Sequence, residues 1–489
     1  MRVSRTMRVN RTKLLRAGGR ALALVAAAAL AVGAVGAAAL VPWPEHIVDV
    51  PSLRVQPSES RQQRVCPGPL LTLGEDAAAA TTASSFGAAE IVTATEPADT
   101  ALEETPLEAP GNPFSAEDGT PVAIAAEPGG VDAGMLASAQ SQAVSTETLG
   151  GFAAAACAEA VAESWLVAGA TTLGRSGLVL LANPTAVAAT VDVRVIGESG
   201  PIDAPSALDL IVPPGTQRVL SLAGLAPNVV SPVVHVTSTG GAIAASLVHS
   251  VVVGLAPAGI ELTGATAAPA TTQVIPGVVV PQAGGVAASE DHADGDDHPV
   301  VRLFAPGEDP VEVSIGIVPV TGTGGNTIEV TLQPGQVLDV PLGVLDAGAY
   351  TVRLEAEAPV IAAARTTVGG AEGQTDAAAP SDLAWTVATA PLLDTAVIAV
   401  PDGPSPTLYL ANPGGAAAEV TVTIGGSERT VSVPPAGAAS VEVGGAASVM
   451  LGGAAGLHAT VSFAGGDELA SFGVQPPGPL DSPITVYPG

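Results

Sequence analysis

The sequence predicts a mainly β protein of tandem antiparallel β-sandwich domains, and three observations predict it. Gly and Pro number 57 and 43 among 489 residues, which breaks long helices and supplies turns. Two-residue alternation recurs in Ala189–Val195 (ATVDVRV), Val311–Ile317 (VEVSIGI) and Ala418–Ile424 (AEVTVTI), the mark of a half-buried strand. Finally, these stretches sit in three similar arrangements of about 100 residues, each long enough to bury a core.

The chain opens on a basic tail. Seven of its 17 Lys and Arg residues lie in residues 1–20: Arg2, Arg5, Arg8, Arg11, Lys13, Arg16 and Arg20. Residues 21–41 (ALALVAAAALAVGAVGAAALV) carry no charge and are long enough to cross a bilayer of roughly 30 Å as a helix. Basic flanks stay cytoplasmic, so this reading places residues 1–20 inside and the C-terminal ectodomain outside, in a single pass. Trp43 stands at the expected interface, and Pro42 and Pro44 end the helix. The competing reading is a cleaved signal segment with small residues near Ala37-Ala38-Ala39, which leaves a secreted protein.

An exported chain meets an oxidising compartment. Cys66 and Cys157 are its only cysteines and are expected to form a disulfide, with two buried free thiols as the competing reading. Residues 45–71 form a short post-membrane segment. Residues 72–149 are rich in Ala, Thr, Ser, Pro and Glu, and read as a loosely held acidic linker that the disulfide spans.

Three sandwich domains are expected beyond it, over residues 150–268, 269–372 and 382–489. Each holds an apolar strand and turn: Leu178–Pro184 (LVLLANP), Val301–Gly307 (VRLFAPG) and Leu408–Gly414 (LYLANPG). A proline-glycine turn follows each alternating strand, at Pro213-Pro214-Gly215, Pro334-Gly335 and Pro434-Pro435-Ala436-Gly437. Trp165 and Trp385 open the first and third arrangements and are expected to fill cores. Pro184 and Pro413 lack a ladder donor, and Asn183 and Asn412 can bond backbone two residues on, so strands end there. Turn spacing of this kind suggests an immunoglobulin-like shape.

Basic N-terminus, Ala/Val span, a cysteine ahead of a Pro/Ala-rich stretch, Trp165-Leu166-Val167 and the Leu-Ala-Asn-Pro motif occur together. In these features the chain resembles a family of actinobacterial, membrane-anchored proteins of unknown function, from about residue 20 onward. The resemblance implies an envelope location and transfers no catalytic residue.

Charge excludes some partners. The formal net charge is -30, and setting aside the seven N-terminal cations leaves -37 for the rest. Such a surface repels nucleic acid and anionic lipid and suits basic partners. Catalytic motifs are missing: Gly174-Arg175-Ser176-Gly177 has the wrong spacing for a nucleophile elbow, and Gly322–Gly325 lacks the lysine of a phosphate loop.

One cluster has metal-binding chemistry. Ser289–His298 (SEDHADGDDH) offers Asp291, Asp294, Asp296 and Asp297 as candidate Ca²⁺ ligands, against the reading of a solvated acidic loop. No other cofactor is expected. The functional expectation is a non-enzymatic cell-envelope protein that contacts another envelope component, such as a partner membrane protein. Cell-wall glycan binding is the alternative, with only 3 Trp, 3 Tyr and 6 Phe in the chain to stack on sugars.

Overall fold

The computed structural model describes residues 53–55, 61–73, 83–285, 298–322, 324–369, 380–477 and 484–486. Strands dominate them, and the helices are single turns at Ser115–Asp118, Pro205–Ala207 and Leu222–Leu225. No helix among the described residues is long and apolar enough to cross a membrane. Residues 21–41 lie outside the described residues. Two compact units are present. In the smaller, Leu53–Val55 pairs antiparallel with Ile484–Val486. The larger spans residues 57–482 and holds four successive β-modules.

The first module occupies the stretch expected to be a linker, and this expectation is overturned. Strands Gln63–Cys66, Val122–Ala126 and Leu102–Pro106 form one sheet, and Glu90–Thr95, Leu136–Ser145 and Gly150–Ala156 form another. Few large apolar residues are available here, so buried amides replace part of the backbone pairing. Gln140 donates to the Gly68 carbonyl at 2.6 Å and accepts from its N–H at 3.0 Å. Gln142 accepts from Leu70 N–H at 2.8 Å, and Gln62 accepts from Gly134 N–H at 3.0 Å. Cys66 and Cys157 are joined in a disulfide 91 residues apart, which closes the module on itself. Composition hid this because hydrogen-bonded glutamine buries without an apolar signature.

The second module pairs two antiparallel sheets around a common core. One contains Glu163–Val167, Val233–Gly240 and Ala189–Gly197; the other contains Thr216–Ser221, Arg175–Asn183, Ala244–Val253 and Ala256–Thr263. Alternation works as the sequence suggests: Val191, Val193 and Val195 face the core, with Asp192 and Arg194 turned away. In the third module one long strand, Gly348–Gly369, serves both faces. Its first half pairs with Ala270–Val280 and Val311–Pro319, and its second half with Val300–Phe304 and Pro380–Val387. The fourth module has two four-stranded sheets, built from Thr395–Val400 through Glu468–Val474.

The Asn-Pro turns follow the expected chemistry. Asn183 Oδ1 accepts from Thr185 N–H at 3.0 Å, and Asn412 Oδ1 from Gly414 N–H at 2.9 Å. Each buried amide also donates across its turn, Asn183 to Val212 and Asn412 to Val433.

Two module edges differ from expectation. Gly150–Ala156 pairs with Leu136–Ser145 and closes the first module. Pro380–Val387 pairs with Gly348–Gly369 and closes the third, so Trp385 ends a module where Trp165 begins one. Both indoles are buried, but they are not equivalent. Hairpin partners upstream decide these memberships, and a local motif does not report them.

Candidate functional site

The closing strands of all four modules meet. Gly150–Ala156 lies against Ala256–Thr263, which lies against Pro380–Val387; this contacts Glu468–Val474, which returns to the first. The result is a ring of four strands, one from each module. At its centre stands Asp382, fully buried.

Asp382 touches every strand of the ring. Its Oδ2 accepts from Phe152 N–H at 2.9 Å and Leu469 N–H at 3.0 Å. Its Oδ1 accepts from Ile260 N–H at 3.1 Å and Leu383 N–H at 3.0 Å. One carboxylate thereby satisfies backbone donors of four modules. Close approach requires glycine on two sides. Gly151 and Gly259 hold φ of +134° and +126°, and a Cβ on Gly259 would sit 2.9 Å from Asp382 Cα.

Glu261 is a second fully buried carboxylate beside the first. It accepts from Leu262 N–H at 2.9 Å, from Trp385 N–H at 3.3 Å, and from Ser471 N–H. Burial pushes Glu261 well above the usual carboxylate range, and the charge of Asp382 adds to it. Burial likewise lifts Asp382 to about 8, against the opposing pull of its four N–H donors.

Arg302, buried in the middle of Val300–Phe304, ties the third module to the second. It is held by a bidentate pair with Asp339, at 2.8 and 2.9 Å. Its remaining N–H groups reach into the second module, to the carbonyls of Gly169 at 2.7 Å, Pro232 at 3.0 Å and Val230 at 3.2 Å. Burial alone would raise Asp339, but the Arg302 charge and hydrogen bonds outweigh it and hold Asp339 below its ordinary value. Guanidinium geometry suits this role, with a planar fork that meets a carboxylate and three carbonyls together. The Trp385 ring lies 4.6 Å from the Arg302 guanidinium carbon, and its indole N–H donates to His249 Nδ1 at 3.3 Å.

These groups are sealed from solvent, so their chemistry is structural: they hold modules in one arrangement. A separate open cleft of about 420 Å³ lies between the first and fourth modules. Phe86, Glu90, Phe152, Asp402 and Glu468 line it in part, and no basic residue does.

The residues singled out in the sequence divide cleanly. Cys66 and Cys157 come together. Asp291, Asp294, Asp296 and Asp297 lie outside the described residues. Among the described residues no group of three or more His, Cys, Asp or Glu could hold a metal ion. Sequence reasoning missed Asp382, Glu261, Arg302 and Asp339. Their signal is a lone charge inside an apolar strand, as in VVRLF and AGIELT, where alternation alone does not place one.

Comparison with known proteins places the chain in a family. Residues 115–452 match the family of unknown function DUF5719, which is more than half of the chain. The chain belongs to DUF5719. The match spans parts of the first and fourth modules and all of the second and third, including Asp382, Glu261, Arg302 and Asp339. No curated protein matches this DUF5719 member. A solved structure, that of Thermotoga maritima 1070, aligns at 16% identity over 24% of this chain and 92% of its own, with a TM-score of 0.18.

Proposed function

We propose that this protein is a non-enzymatic component of the cell envelope, a rigid β-scaffold held outside the membrane to contact another envelope component. The observation that supports it best is Asp382, whose carboxylate binds backbone from four modules and fixes them as one surface. Ionisable groups at the junctions are consumed by that task. The disulfide suggests an extracellular or otherwise oxidising compartment. Residues 21–41 then serve as a single-pass anchor, or as a cleaved segment of a secreted form, in an actinobacterial envelope. We read the second to fourth modules as immunoglobulin-like sandwiches, from their paired antiparallel sheets.

An acidic surface favours a partner with exposed basic groups and excludes nucleic acid. Glycan binding is the second reading. Against it stands the burial of Trp165 and Trp385, which removes two indole faces from any stacking platform. The test is cross-linking in intact cells of the source, followed by membrane solubilisation and mass spectrometry. One enriched envelope protein is expected. Pelleting of the purified protein with washed cell wall, resistant to added salt, would instead favour the glycan reading.

A further inference from the structure

One end of the second module carries an apolar tip that the fold does not use. Leu173 and Leu255 are 94% and 95% exposed. They occupy neighbouring turns, tied by the bond from Val252 N–H to the Gly174 carbonyl at 2.7 Å. Val253, on the same hairpin as Leu255, is also exposed, as is Val230 in the third loop of this end. That loop joins the others through Thr171 N–H and the Val229 carbonyl at 2.8 Å.

These loops are braced from behind. Thr171 Oγ1 donates to the Ala226 carbonyl at 2.6 Å and accepts from Val229 N–H at 2.8 Å. Arg302 holds the Gly169 and Val230 carbonyls. The leucines are therefore presented by a fixed frame. A single exposed leucine is ordinary, but a cluster at one protruding end marks a surface for a partner or a membrane.

Charge narrows the choice. Of 47 acidic residues, none lies between Trp165 and Val191 or between Leu210 and Ile260, the segments that build this tip. Arg175 lies at its base, and its side chain donates to the Leu173 carbonyl at 2.9 Å. Two acids flank the tip: Glu198, which accepts from Ser231 N–H at 3.2 Å, and Glu147, in the turn before the strand that approaches Pro257. They disfavour anionic headgroups and leave zwitterionic ones. The expected span at residues 21–41 favours lipid over protein, because it belongs to the same chain and keeps this tip beside a bilayer surface. Tethering of this kind lets a weak contact persist, through effective concentration.

We infer that Leu173 and Leu255 insert into a zwitterionic bilayer surface and dock the β-scaffold on the membrane that carries it. This inference rests on the membrane location proposed above.

The test uses the full chain, reconstituted in phosphatidylcholine vesicles. Leu173→Cys, Leu255→Cys and Ile211→Cys variants each carry a polarity-sensitive fluorophore, the native cysteines being paired. Ile211 is 52% exposed and pairs with Thr190, at the opposite end of the strand that runs to Gly197 beside the tip. Emission at 173 and 255 is expected to shift to the blue and to be quenched at least twofold by bilayer spin labels, with 211 unchanged. Water-like emission at 173 and 255, in protein that floats with the vesicles, overturns the inference. Failure to float is a failure of the anchor reading; the tip is then read by adding vesicles to soluble protein, with the same two outcomes. A blue shift without lipid that grows with protein concentration assigns the tip to a second copy and also overturns it.

Discussion

Asp382 accepts the backbone N–H of Phe152, a residue 230 positions earlier in the chain, in a strand two modules away. The same carboxylate binds Ile260 and Leu469, so one group reaches the backbone of three other ring strands. Four modules joined only by connecting peptides would move independently. Joined through this buried side chain, with Arg302 adding a tie between the second and third, they are expected to unfold as a coupled body.

Removing that side chain tests the coupling. Asp382→Ala leaves four buried N–H groups without their acceptor, each costing about 1–3 kcal/mol. The expected result is a loss of several kcal/mol in urea denaturation and a single transition that splits in two. Loss of stability with the transition still single would mean that other contacts couple the modules.

The pH dependence has a definite sign. Asp382 titrates at about 8 in the folded protein, against an ordinary value of 3.8. Between these values the folded state binds the extra proton, so stability falls as pH rises. Its contribution is complete below about pH 4 and is lost through about pH 8, with a slope near 1.4 kcal/mol per pH unit for one proton. Glu261, also raised, acts in the same direction. Chemical denaturation from pH 5 to 9 should show declining stability, and Asp382→Asn should reduce the slope. A stability that climbs across this range would contradict the assignment.

At the acid end the Arg302 pair works the other way. Asp339 is held below its ordinary value, so its contribution is present above that value and is lost as pH falls through its folded pKa. Arg302→Met strands a buried carboxylate and frees three carbonyls of the second module; breaking one side of such a pair costs about 3–5 kcal/mol. Adding Asp339→Asn to Arg302→Met should recover part of that loss. Arg302→Lys should behave like a loss rather than a conservative change, since an ammonium cannot span the same fork. Thermal melts of the four proteins decide this, and full stability of Arg302→Lys would remove the fork argument.

Much of the fold was legible because it depends on local pattern. Val191, Val193 and Val195 alternate toward the core, and Asn183 and Asn412 bind their turns, all from chemistry within a few residues. What the sequence concealed is non-local. Gln140 and Gln142 look like linker residues, and Gln62 like part of a short post-membrane segment, until their backbone partners, about 70 positions away, are in place. Asp382 and Arg302 likewise look like surface charges that interrupt apolar strands. Their function exists only once strands of different modules meet.

The first module offers the last test. Its disulfide joins Gln63–Cys66 to the residue after Gly150–Ala156, so the bond closes a folded unit of few large apolar side chains. A loop of this size is worth about 4–5 kcal/mol in the chain-entropy model. With the bond intact, residues 83–157 should resist limited proteolysis as well as the second module does. In a Cys66→Ser, Cys157→Ser double variant this module should be nicked first, while the region 175–263 stays intact. Gln140 and Gln142 explain the order: without the bond, their amides must hold the Gly68–Leu70 segment alone. Early cutting of the oxidised protein within 83–157 would return the segment to a loosely held linker.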